Sequence, residues 1–211
     1  MRDNYYTVKE YGTDEIIIQK SRFIAYVSRV ETEEEANEFI DSIKKKHDDA
    51  THNCSAYVVG PKQRFQKAND DGEPSGTAGV PILEVLLKQN LEDTAVVITR
   101  YFGGIKLGSG GLIRAYGQST TVGIEAAGVV LRKQFHLMTV NIDYTWLGKI
   151  ENEVRQSKYD LKEIVYLDDV QLQIYVDPQD EQEFTEWITN MTSGQAEIEI
   201  AETLFLEIPR T

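Results

Sequence analysis

Residues 100 to 117 read RYFGGIKLGSGGLIRAYG, with six glycines and three cations, Arg100, Lys106 and Arg114. An apolar run precedes this stretch and a helical pattern follows it. A strand, a glycine loop and a helix N-terminus in succession turn backbone N–H groups toward any anion placed there. Gly103, Gly104, Gly108, Gly110 and Gly111 let the backbone come close to such a group, with Arg100, Tyr101, Lys106 and Arg114 at hand. The same glycines also suit tight turns and close strand–helix contact, so phosphate contact and close packing both stand as readings. The G-K-[ST] ending of a P-loop is missing, as is the G-x-G-x-x-G spacing of a dinucleotide-binding unit.

Two further stretches carry reactive residue types. DDGEPSGTAG, residues 70 to 79, offers Asp70, Asp71 and Glu73 as oxygen ligands and Ser75 and Thr77 as capping or phosphate-touching hydroxyls. It lacks calcium-loop spacing, and its Asp-Gly and Pro-Ser-Gly-Thr runs are what turns require. A loop that met the glycine crossing in space would explain both. THNCSAY, residues 51 to 57, places His52 and Cys54 on one face of a strand, since side chains alternate with period two. An imidazole beside a thiol suggests a nucleophile, yet a cysteine in an apolar strand is commonly a small core residue. One cysteine with His47, His52 and His136 has no paired spacing for zinc, so neither a metal nor a cofactor is expected.

The elements that must position these residues follow from hydrophobic periodicity. Residues 15 to 30 read as two short strands or one bent strand. Thr32 and Glu35 form a T-x-x-E box before Ala36, Phe39, Ile40 and Ile43, and Lys44, Lys45 and Lys46 suit the dipole at that helix's end. Residues 53 to 60 and 63 to 69 read as strands paired across Gly60-Pro61. A helix starts near Val80, and the continuous apolar run 94 to 102 suggests a strand buried on both faces. A small-residue helix then spans Leu112 to Ala127. Beyond residue 136 the pattern is strand, helix, hairpin at Asp168-Asp169, helix from Asp177-Pro178, strand: β-α-β-β-α-β, the ferredoxin-like order.

Charge divides the chain at the same place. Residues 1 to 135 hold 17 Lys+Arg against 19 Asp+Glu, whereas residues 136 to 211 hold 5 against 16. The overall net charge of -13 argues against a broad basic nucleic-acid footprint and leaves room for a local one. In the acidic part, Tyr144, Tyr166 and Tyr175 are aromatics on expected strands, but its charge repels a phosphate backbone, and a protein partner or a structural role fits better. The single cysteine forbids an intrachain disulfide, and no signal peptide or membrane span is evident, so a cytoplasmic protein without membrane association is expected.

KSRFIA, THNCSAYVVG, NDDGEPSGTAGVP and VVITRYFGGIKLGSGGLIRAYG resemble the signature blocks of the YigZ/IMPACT family, and the last 75 or so residues resemble the C-terminal domain of its bacterial members. The resemblance implies an α+β protein of two domains, 1–134 and 135–211. The first is like domain 2 of ribosomal protein uS5 and the second is ferredoxin-like, a pair arranged like domains IV and V of elongation factor G. The first fold is shared with small-molecule kinases whose glycine loop grips nucleotide phosphates, but here the glycines run into Leu112-Ile113-Arg114. Eukaryotic relatives regulate translation through the activator of a starvation-responsive initiation-factor kinase, with the help of an added N-terminal domain. This chain opens at the family domain, so that partnership is not expected.

The leading expectation is a non-enzymatic, translation-linked protein that contacts RNA, ribosome or another phosphate-bearing partner. The contact would use Arg100, Tyr101, Gly103, Gly104, Lys106, Gly108, Gly110, Gly111 and Arg114, with Asp70, Asp71, Glu73, Ser75, Thr77 and His52 alongside. Two rivals stand: an enzyme acting on a small phosphorylated or peptide substrate in the same cleft, and a protein-interaction scaffold.

Overall fold

The computed structural model describes residues 2–210. The fold is mixed α and β, with five α-helices and two sheets distributed over two units. The first unit comprises Met1–Arg132 with Glu207–Thr211, and the second Lys133–Leu206. The last residues of the chain thus belong to the first unit, whereas the sequence boundary placed all of 135–211 in the second. Long-range ion pairs and backbone bonds explain the return. Glu207 pairs with Arg29 at 2.6 Å and Arg132 at 3.1 Å, and the Arg210 N–H donates to the Val129 carbonyl.

The first unit is built on a five-stranded antiparallel sheet. Its strands are β2 (Gly12–Ile18), β3 (Ser21–Arg29), β4 (His52–Val59), β5 (Phe65–Asn69) and β6 (Thr94–Tyr101), in the order β2-β3-β6-β4-β5. A short β1 (Tyr5–Val8) pairs outside it with the start of β7 (Val129–Ile142). The 15 to 30 segment is therefore a hairpin, turned at Gln19 and Lys20, both at positive φ. Helix α1 (Glu33–Lys46) covers one face, packing Ala36, Phe39, Ile40 and Ile43 on Tyr26, Tyr57 and Val97. Helices α2 (Gly79–Lys88) and α3 (Gly108–Ala127) cover the other, over Phe23, Ala25, Val27, Cys54, Ala56, Val96 and Ile98. Central strand β6 is buried on both faces along seven of its eight residues, which is why it reads as an unbroken apolar run.

In the second unit, β7 from His136 onward pairs with β9 (Val170–Val176), which pairs with β8 (Asp160–Tyr166), and β10 (Glu197–Pro209) pairs with β7. Helices α4 (Tyr144–Gln156) and α5 (Glu181–Met191) bury Ile150, Val154, Phe184 and Ile188 against Val140, Leu172 and Ile174. With β8-β9-β7-β10 as spatial order, this is the ferredoxin-like arrangement expected. Tyr144 begins α4 rather than lying on a strand, because Asp143 accepts the Thr145 N–H and starts the helix there. Tyr166 is exposed at the end of β8, and Tyr175 packs its ring on Phe135.

Candidate functional site

A cleft of about 440 Å³ opens in the first unit where the start of β4, the end of β6, the 70–79 loop and the N-terminus of α3 meet. The sequence blocks singled out above thus converge. His52, Glu73, Arg100, Lys106 and Gly108 line the cleft. Period two sets which side chains reach it. Arg100 follows Val96 and Ile98 on the α2/α3 face of β6, and it sits opposite His52 of β4 and Phe23 of β3 in register. Tyr101 consequently points to the other face. Its hydroxyl donates to Asp49 Oδ1 at 2.9 Å and lies 2.9 Å from His47 Nδ1, away from the cleft.

The expected role of Arg100 as a phosphate contact does not fit its surroundings. Its side chain is 6 % exposed, and Nη1 donates to Glu73 Oε1 at 2.5 Å. Nη2 reaches Ser21 Oγ only weakly, at 3.4 Å, and Nε is buried without a hydrogen-bond partner. Glu73 is 3 % exposed, and its Oε1 also accepts the Tyr116 hydroxyl at 2.8 Å. Arg100 and Glu73 therefore cancel each other's charge in the cleft floor, and Tyr116, unmarked in the sequence, completes the network. A buried pair of this kind returns little net stability but is costly to break from one side.

Asp70 and Asp71 hold the loop together and lie outside the cleft lining. Asp70 accepts the N–H groups of Gly76, Ala78 and Gly79 at 2.8, 3.0 and 2.8 Å, capping α2 from eight residues upstream. Burial opposes its ionisation, but these three donors prevail and hold its carboxyl below the usual range. Asp71 is likewise depressed, with burial outweighed by Lys44 at 2.6 Å and the Asn53 N–H at 2.7 Å. Thr77 is buried and donates to the Pro74 carbonyl at 2.6 Å. Ser75 is exposed and outside the cleft lining.

The glycines divide by role. Gly103 is architectural, since a Cβ there would lie 2.0 Å from the Lys20 backbone. Gly104 and Gly108 take φ of +85° and +70° with open space where a side chain would stand, so they turn the chain and leave the surface bare. Helix α3 begins at Gly108, four residues before the expected start, so Gly108, Gly110 and Gly111 lie in its first turn rather than in a loop. That turn carries no acid, and Leu107 at the N-cap offers no side-chain acceptor, whereas α1 is capped by Thr32 and α4 by Asp143. Lys106 is exposed and makes no ion pair among the described residues, and Arg114 projects from the next turn outside the cleft lining. Sequence reasoning missed Ser109 and Phe102, both of which line the cleft. Their signal was position alone, inside the glycine block.

Cys54 is fully buried, with Sγ 3.0 Å from the Asp70 carbonyl oxygen and 3.3 Å from the Tyr116 hydroxyl. Burial pushes its thiol up to about 12, so it is a protonated core residue and not a nucleophile at neutral pH. The three histidines occupy separate surroundings: His47 lies between the hydroxyls of Tyr26 and Tyr101, His52 in the cleft, and His136 beside Thr203. Among the described residues, no group of three or more His, Cys, Asp or Glu is placed to hold a metal ion. No helix among them is long and apolar enough to cross a membrane.

Known proteins share both the sequence and the architecture. Residues 19–124 match the Impact N-terminal domain, and residues 140–195 match a domain of unknown function, DUF1949. The chain is 58 % identical over 207 residues to IMPACT family member YvyE of Bacillus subtilis, which covers 98 % of this chain and 95 % of that protein. It is 37 % identical over 136 residues to IMPACT family member YigZ of Escherichia coli, covering 64 % and 67 % of the two chains. A solved structure described as that of a hypothetical protein superposes with a TM-score of 0.61 at 29 % identity, covering 96 % of this chain and 99 % of that one. With a near full-length relative at this identity and both domains matched in order, the chain belongs to the IMPACT family.

Proposed function

We propose that the first domain is a translation-linked binding module that seats a phosphate group of RNA or of a ribosomal surface at the N-terminus of α3. One observation carries this reading. The first turn of α3, Gly-Ser-Gly-Gly, is uncapped and free of acids, its Gly108 and Ser109 line the cleft, and Lys106 beside it makes no ion pair among the described residues. Helix N-termini leave peptide N–H groups without intrahelical acceptors, and the dipole adds positive potential there. Every other charge in the cleft floor is internally matched, so an incoming anion meets Lys106 and these amides rather than Arg100. The link to translation rests on the family resemblance of the signature blocks.

Salt-dependent titration of single-stranded RNA against wild type and Lys106→Ala tests the proposal. Each phosphate neutralised contributes a slope of about 0.7 in log K against log salt, so the variant's slope should be shallower by about that amount. Identical slopes and affinities for the two proteins, or binding by neither to RNA or ribosomes, would refute it. The enzyme reading loses its nucleophile in Cys54, and no observation favours it further.

A further inference from the structure

The cleft floor presents two hydrogen-bond acceptors side by side. His52 Nδ1 lies 2.8 Å from the Asp71 carbonyl oxygen, which can only accept, so Nδ1 carries the ring proton. In the neutral imidazole Nε2 is then a lone pair, and it stands 3.8 Å from Glu73 Oε2. The other Glu73 oxygen is engaged by Arg100 and Tyr116, and this fixes the carboxylate. Oε2 accepts no hydrogen bond among the described residues. The spacing is held from behind: the Asp71 carboxylate binds the Asn53 N–H while its carbonyl binds His52, so loop and strand cannot drift apart.

With the ring neutral, two acceptors this close repel one another, and neither accepts a hydrogen bond among the described residues. A single donor atom bearing two hydrogens relieves both. Placed about 2.9 Å from each, it sees them at an angle of about 80°, within the bending that hydrogen bonds tolerate. A hydroxyl has one hydrogen and satisfies one acceptor; a carbonyl oxygen satisfies neither and repels both. The rest of the cleft matches a nucleotide. Phe102 is 46 % exposed on the lining and offers a face for stacking, and the volume of about 440 Å³ is that of a small-molecule site.

We infer that the cleft selects a nucleotide whose base carries an exocyclic amino group, the N–H₂ bridging His52 Nε2 and Glu73 Oε2. The inference rests on the phosphate-binding reading above, with the phosphate on the N-terminus of α3 beside Lys106. Bases with a carbonyl at the corresponding position, as in uracil or hypoxanthine, are disfavoured by two acceptor–acceptor contacts.

Matched pairs of ligands test it directly. Calorimetric titration at pH 8 with the 5′-monophosphates of adenosine and inosine, and of cytidine and uridine, changes one amino group to oxygen in each pair. The amino-bearing partner should bind about 5- to 100-fold more tightly, since the analogue sets a carbonyl oxygen against two acceptors. His52→Ala should reduce the preference to the part that Glu73 Oε2 alone sustains, with inosine monophosphate bound no more weakly than by wild type, and His52→Gln, with its melting temperature recorded, guards against loss of fold. Equal binding within the pairs, or a preference undiminished by His52→Ala in the folded protein, overturns the inference. Binding of none of the four also overturns it. If single-stranded RNA then still binds with a Lys106-dependent salt slope, the phosphate reading stands by itself.

Discussion

Replacing Arg100 separates a structural cation from a ligand-binding one. In Arg100→Met the apolar stem is retained, since Met fills a similar volume between Phe23 and Phe102, whose rings lie 5.3 and 5.4 Å from the guanidinium. What is lost is the countercharge of a carboxylate that is 3 % exposed. Removing one partner of a buried pair typically costs about 3–5 kcal/mol, because the remaining charge stays desolvated. With a urea m-value of about 2 kcal/mol/M, the unfolding midpoint should fall by about 2 M. Glu73→Gln added to Arg100→Met removes the stranded charge yet keeps an acceptor for the Tyr116 hydroxyl, so the double variant should be more stable than Arg100→Met alone by about 1–3 kcal/mol. Urea denaturation followed by fluorescence reads all three proteins. An Arg100→Met protein with wild-type stability that has lost only RNA affinity would refute the reasoning and restore Arg100 as a phosphate contact.

Asp70→Ala should destabilise the first unit by about 2–4 kcal/mol in the same denaturation assay, since it strands three backbone donors and removes the cap of α2. Because the folded-state pKa of Asp70 is depressed, its contribution is fully present above the unfolded value of about 3.9 and is lost as pH falls through the folded one. The stability gap between wild type and Asp70→Asn should accordingly narrow below about pH 4. Cys54, protonated and fully buried, should resist iodoacetamide at pH 8 in the native protein and react at a rate set by opening of the fold. Mass spectrometry that finds rapid native-state labelling would contradict its placement.

What the sequence discloses, and what it withholds, follows from the range of the interactions involved. Local chemistry is legible. The Thr32 hydroxyl accepts the Glu35 N–H at 3.1 Å as the T-x-x-E spacing predicts, although the Glu35 carboxylate reaches the Glu31 N–H rather than that of Thr32. Period two puts His52 and Cys54 on one face of β4, and the same rule sends Tyr101 away from Arg100 on β6. The pairing of Arg100 with Glu73 was not legible, because it depends on which loop folds over the end of β6, a tertiary choice with no sequence marker. Charge reasoning therefore miscast Arg100: a cation in a glycine-rich block suggests an anion from outside, and the anion came from inside.

The glycines were misplaced for a complementary reason. Glycine costs a helix roughly 1 kcal/mol per residue relative to alanine, so Gly-Ser-Gly-Gly reads as loop, and α3 was expected only from Leu112. The helix nevertheless starts at Gly108, because Leu112, Ala115, Tyr116 and Ile124 bury against the sheet and packing outweighs local propensity. Gly123 shows how close that packing is, since a Cβ there would stand 2.6 Å from the Ala25 Cβ. Tertiary burial of one face thus sustains a first turn that could not cap or stabilise itself. That turn keeps its amides bare beside Lys106, with neither a capping side chain nor an acid to satisfy them. Leu107 packs on the core with helical backbone, unlike the extended caps Thr32 and Asp143, so Leu107→Asp should lower stability by about 1 kcal/mol through lost packing. On the binding reading the same change, whatever it does to the fold, places a carboxylate where the phosphate sits and should abolish RNA binding. A Leu107→Asp protein that binds RNA as wild type does would show that the phosphate sits elsewhere.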